Sequence, residues 1–115
     1  MAITFGEAVR ELRKRTGLSQ RELAEKVGVD FSYISKVENN RLPPPAADTI
    51  TNICEALSVP PDKLLALTGK MPTAVKEMVS GSAAAQQFMR QAQTMRLSDD
   101  EWEKLSQRLK RLRSG

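Results

Sequence analysis

The sequence predicts an all-α chain, with a five-helix domain over residues 1–69 followed by a small helical tail over 70–115. Three observations predict it. Apolar residues recur at helical spacing, and few windows gather the β-branched and aromatic residues that strands favour. Turn signals at Gly17, Gly28, Pro43-Pro44-Pro45, Pro60-Pro61, Gly69 with Pro72, and Gly81 cut the chain into short pieces. Three helix starts carry a capping-box pattern, in which a hydroxyl accepts from the N3 amide and a Glu reaches back to the cap amide: Thr4 to Glu7, Ser19 to Glu22, and Ser98 to Glu101.

The first helix, about 5–15, follows Thr4 and carries Phe5, Val9 and Leu12 on one face. The second, about 20–27, follows Ser19, with Leu18 and Leu23 spaced as a hydrophobic staple. The third spans about 31–39 after Gly28 and Asp30. The fourth, about 46–57, sets Ile50, Ile53, Cys54 and Leu57 at i, i+3, i+4 and i+7. The fifth, about 61–67, opens at Pro61 and closes at Gly69. Beyond Gly69 the composition turns to Ala, Gln, Ser and Met. Short helices fit at about 73–79 and 83–95, separated by Ser80-Gly81-Ser82. The last helix, about 99–113, starts with a box and a Leu97–Trp102 staple. Its first turn is acidic and its last turns are basic, which suits the helix dipole.

Composition excludes several kinds of chemistry. The chain has no histidine and one cysteine, Cys54. A histidine-based triad, the usual structural zinc site and an intramolecular disulfide are therefore ruled out. No carboxylate or serine cluster forms a recognisable catalytic arrangement, so no enzyme, metal or cofactor is expected. Cys54 lies on the apolar face of the fourth helix and reads as a small core residue. The methionines read as adaptable packing rather than a soft-metal site. No apolar run approaches the roughly 20 residues of a membrane span, and no signal peptide is evident, so a cytoplasmic location is expected. Net charge is +4 and the pI about 9.5. Residues 1–41 hold eight basic and six acidic groups. Any grip on a polyanion must therefore come from placed donors rather than bulk charge.

The informative stretch runs from Leu18 to Arg41, LSQRELAEKVGVDFSYISKVENNR. Two short helices crossing steeply need a small residue at the crossing, which Ala24 supplies. The turn needs a residue tolerant of positive φ, which Gly28 supplies. The second helix needs anchors toward the first: Ile34 and Val37 can meet Leu23, Val27 and Val29. That is the logic of a helix-turn-helix.

These residues closely resemble the Cro/CI-type, or XRE, repressor family. The match is carried by Leu18-Ser19-Gln20, Glu22-Leu23-Ala24, Val27-Gly28-Val29, Ile34-Ser35, Val37-Glu38-Asn39 and Arg41. It continues through Ala56, Leu57, Val59 and Asp62 to Leu65, covering about residues 4–69. The resemblance implies a Cro/CI-like domain that binds double-stranded DNA with its third helix in the major groove. Phe31, Ser32, Ser35 and Lys36 then fall where the family reads bases. Lys36 could donate to guanine O6 and N7, and Phe31 could pack on a thymine methyl. Gln20, Asn39, Asn40 and Arg41 fall where phosphates are held. Tyr33 lies at the flank, as a phosphate contact or as a partly buried packing residue. Asn40 stands where glycine is usual, and asparagine tolerates the left-handed conformation. Asp30 takes the third helix's cap position. Arg13 and Glu38 match an ion pair of the family that positions the recognition helix, with a net stabilisation that can be small.

One recognition helix spans few base pairs, so a homodimer on two half-sites is expected, with higher oligomers open. Trp102, Leu105, Leu109 and Leu112 recur at spacings of three, four and three, an a/d seam too short for an isolated coiled coil. Ala84, Phe88, Gln91 and Met95 offer a matching face. The tail is thus expected to dimerise; the competing reading docks it on the fourth and fifth helices. The tail also resembles, more weakly, short repressors inactivated when a dedicated zinc metallopeptidase cuts them, with a cut expected near Thr94–Leu97. The function expected is a sequence-specific repressor on a pseudo-palindromic operator. The competing function is an antitoxin or other module that neutralises a protein partner and binds DNA for autoregulation.

Overall fold

A computed structural model describes residues 3–114. Among them lie eight helices and no strand: α1 (Phe5–Thr16), α2 (Gln20–Val27), α3 (Phe31–Glu38), α4 (Ala47–Ala56), α5 (Asp62–Thr68), α6 (Thr73–Ser80), α7 (Ala83–Met95) and α8 (Asp99–Arg111). The chain divides into two compact units, residues 1–75 and 76–115. None of the described helices is long and apolar enough to cross a membrane.

In the first unit α2 packs on α3 and α4, α1 packs on α3 and α5, and α4 packs on α5. Val9, Leu23, Ile34, Ile50, Ile53 and Cys54 are wholly buried at the centre. Leu12, Leu18, Val27, Val29 and Tyr33 close the margin of this aliphatic core. Burial, and secondarily the charge of Asp62, pushes the Cys54 thiol above its ordinary value. A thiol held so protonated is an inert core residue.

The helix ends follow local chemistry. Ser19 and Ser98 form complete capping boxes with Glu22 and Glu101. Thr4 forms only half of one. Its hydroxyl accepts from the Glu7 N–H and is shared with a long-range donor, Asn40 Nδ2, at 3.0 Å. Asp30 holds the α3 cap position but makes no side-chain cap hydrogen bond. Gly28 ends α2 at φ +85°, so the sharp turn to α3 uses the one residue type without strain there.

The first unit extends past Gly69 to Val75 for two reasons that lie far apart in sequence. Lys70 Nζ donates to the carbonyls of Pro44 (3.1 Å) and Pro45 (2.8 Å). Thr73 donates to the Asp48 carboxylate through its N–H (3.0 Å) and its hydroxyl (2.8 Å). The composition change at residue 70 therefore precedes the structural division.

In the second unit α7 ends at Arg96, a non-glycine residue in the left-handed region at φ +50°. A groove of about 460 Å³ lies between α7 and α8, lined by Phe88, Ala92, Met95, Leu97 and Leu105 among others. Ala92 is the only buried residue of this unit among those described. Trp102 remains 41% exposed, Leu109 68% and Leu112 76%, so most of the apolar face of α8 is left uncovered by the rest of this unit.

Candidate nucleic-acid interface

The α2–Gly28–α3 unit presents one face of α3 outward. Ile34 and Val37 point into the core; Ser32 and Lys36, on the opposite side, are exposed, as is Phe31 at the start of the helix. Ser35 is half-buried at the edge. Tyr33 is half-buried against the core, and burial raises its hydroxyl above the usual tyrosine range. It is a packing residue with a polar tip at the flank. Asn39, Asn40 and Arg41 follow α3 and are exposed, while Gln20 opens α2 half-buried.

Glu38 organises this face. It is 1% exposed, the one buried charged residue among those described. Arg13 Nε donates to its Oε2 at 2.6 Å and Arg13 Nη2 to its Oε1 at 3.0 Å, a bidentate fork. Gln20 Nε2 donates to the same Oε1 at 2.9 Å. Arg10 Nε stands 3.7 Å away. Burial alone would raise the Glu38 carboxyl, but hydrogen bonds from Arg13 and Gln20 and the two guanidinium charges outweigh it. The group is held below the ordinary glutamate value. Arg13 Nη1 also donates to Leu18 O at 2.9 Å, so a single guanidinium ties α1, the start of α2 and the end of α3.

Two further anchors hold the segment after α3. Asn40, left-handed at φ +57°, accepts from Gly6 N–H (3.1 Å) and donates to Thr4. Arg10 Nη2 donates to Asn39 Oδ1 (2.6 Å) and to Glu38 O (3.3 Å). Asn39 Nδ2 donates in turn to Ser35 O at 2.8 Å. Gly6 is required by this approach. A Cβ there would meet Val37 O at 2.5 Å and Asn40 Oδ1 and Glu38 O at 2.6 Å.

The side chains of Gln20, Asn39 and Asn40, expected on phosphates, are thus tied within the protein. What Gln20 and Arg21 offer an anion freely is backbone: first-turn N–H groups of α2 that have no intrahelical acceptor. Gly6, Arg10 and Arg21 were absent from the expected set. Arg10 lies one turn before Arg13 on the same helix, a periodicity that would have flagged it. The role of Gly6 has no local signal. Arg21 stacks on Phe31, its guanidinium carbon 4.5 Å from the ring centroid.

Two short packed helices joined by the Gly28 turn, the second braced and turned outward, define a helix-turn-helix. A helix-turn-helix family model, HTH_3, matches residues 9–64. The chain belongs to this XRE-type family of transcriptional regulators. An uncharacterized HTH-type transcriptional regulator of Bacillus subtilis, RghRB, is 30% identical over 111 residues, covering 89% of this chain and 80% of that one. Among solved structures, SinR, the master regulator for biofilm formation, in complex with DNA, superposes with TM-score 0.51 at 35% identity, over 54% of this chain and 98% of that one. The SinR/SinI protein complex superposes with TM-score 0.52 at 26% identity, over 97% of this chain and 100% of that one.

Proposed function

We propose that this protein is a sequence-specific transcriptional repressor that binds a pseudo-palindromic operator as a dimer. The observation that carries the reading is the braced recognition helix, with Phe31, Ser32 and Lys36 outward and Glu38 clamped behind. Lys36, Ser32 and Phe31 read base edges, with Ser35 at the margin. Arg41 and the first-turn amides of α2 hold phosphates, with Asn39, Asn40 and the Tyr33 hydroxyl at the flanks. The DNA-bound relative SinR supports this use of the domain. The domain's modest basicity makes half-site pairing necessary. The seam of exposed Trp102, Leu109 and Leu112 and half-buried Leu105, with Phe88 and Met95 opposite, supplies the dimer. Electrophoretic mobility shifts on the DNA upstream of its own gene test the reading. A specific complex that resists excess random duplex supports it, and binding indifferent to sequence refutes it.

A second reading has an observation of its own. The relative whose similarity extends over 97% of this chain is solved with a protein partner, SinI. A partner protein that covers the tail would then switch the regulator by replacing the second copy. Proteolysis is another switch: a metallopeptidase cut at Thr94–Leu97, where α7 ends and Met95 is 68% exposed, would release α8 and dissolve the dimer. Incubation with a neighbouring peptidase tests this; an uncut chain, or a cut chain with full DNA affinity, refutes it.

A further inference from the structure

We infer that Arg21 and Phe31 act together as one reading element: the Phe31 ring holds the Arg21 guanidinium at the depth of the recognition helix, where its free edge reads a guanine in each half-site. The inference rests on the proposed DNA-binding mode and names a specificity determinant within it.

Arg21 belongs to α2, the helix that flanks the recognition helix, yet its guanidinium lies 4.5 Å from the centroid of Phe31, the first residue of α3. A cation over an aromatic face is attracted by the ring quadrupole. Stacking uses the flat face of the guanidinium and leaves its in-plane N–H donors available. Those donors match guanine O6 and N7 two at a time. No salt bridge within 4.0 Å claims Arg21 among the described residues, in contrast to Arg10 and Arg13, which serve Glu38. Phe31 is 36% exposed at the start of α3, so the stacked pair lies at the surface. The arrangement changes what Phe31 does. One face of its ring is occupied by a cation, and its work is to restrict the arginine rather than to meet a thymine methyl with that face. Restricting a long side chain before binding lowers the entropy lost on binding.

The inference is tested by selecting bound sequences from a randomised double-stranded DNA pool with the full chain and three variants, followed by affinity measurements on the selected duplex across salt concentrations. The full chain should enrich a symmetric motif with one guanine per half-site that Arg21→Ala no longer requires, a loss of about ten-fold or more in preference there. Arg21→Lys keeps the charge but not the planar fork, so it should restore the salt dependence with a weaker guanine preference than arginine gives. Phe31→Leu keeps apolar bulk without a π face, and should relax the base pair that Arg21 reads. If Arg21→Ala leaves the motif intact and lowers affinity for all sequences alike, Arg21 is a phosphate contact and the inference fails. If Phe31→Leu leaves the preference at the Arg21 base pair unchanged, the two act separately and it also fails. A full chain that enriches no motif overturns the sequence-specific reading itself, and this inference with it.

Discussion

Replacing Glu38 with glutamine tests how the recognition helix is held. The change keeps the volume of the side chain and removes its charge. Glu38 accepts three hydrogen bonds, two from Arg13 and one from Gln20. An amide offers one oxygen, so its NH2 group must face at least one of these donors. Arg13, whose side chain is 12% exposed, keeps Leu18 O but loses its counter-charge. Breaking a buried ion pair from one side costs about 3–5 kcal/mol. Partial retention of the bonds puts Glu38→Gln near the lower end, about 3 kcal/mol. For a unit of this size that is a fall in Tm of about 10–25 °C. The loss also depends on pH. The Glu38 carboxyl is depressed in the folded state, so its contribution is complete above the ordinary glutamate value. It is lost as pH falls through the lower, folded value. Thermal melts followed by circular dichroism should show the gap between the two proteins at pH 7 and its narrowing as the solution is acidified through the carboxylate range. A Tm loss under about 5 °C at pH 7, or a gap that does not narrow in acid, refutes this account of the clamp.

Other predictions concern the same scaffold and the tail. Gly6→Ala should destabilise the first unit by about 1–3 kcal/mol in chemical denaturation, because its Cβ would collide with backbone oxygens after α3. An exposed helical site would instead gain about 1 kcal/mol from the same change. Leu109→Lys should convert a dimer to a monomer by light scattering, with a large loss of operator affinity. A variant that stays dimeric would remove Leu109 from the interface. Lys36→Ala should cost about 1–3 kcal/mol of binding and relax selectivity at one base pair, read by competition with single-base operator variants.

The helices were legible because their signals are local. Ser19 with Glu22 and Ser98 with Glu101 set two starts, and Gly28 and Gly69 set two ends, within four residues of the positions concerned. The α2–α3 crossing was legible because Ala24, Gly28, Ile34 and Val37 stand at spacings that few other arrangements require. The candidate interface was legible only in outline. Which face of α3 points outward follows from Ile34 and Val37. What the polar side chains do with their hydrogen bonds does not, since Asn40 meets Thr4 and Gly6 across more than thirty residues and Gln20 meets Glu38 across eighteen. The extension of the first unit to residue 75 has its cause at the same long range: Lys70 and Thr73 are held by carbonyls and a carboxylate about twenty-five residues earlier. Left-handed Ser58 and Arg96 break the pattern in another way, for neither is a glycine that would announce the turn.

The measurement that tests the central claim most directly is a nuclease footprint of the full chain on the DNA upstream of its own gene, made beside Lys36→Ala. The account predicts protection of two related segments with centres about one helical turn, roughly 34–36 Å, apart, and loss of that protection in the variant at the same protein concentration. Absence of a discrete footprint, or one that Lys36→Ala leaves unchanged, would contradict it.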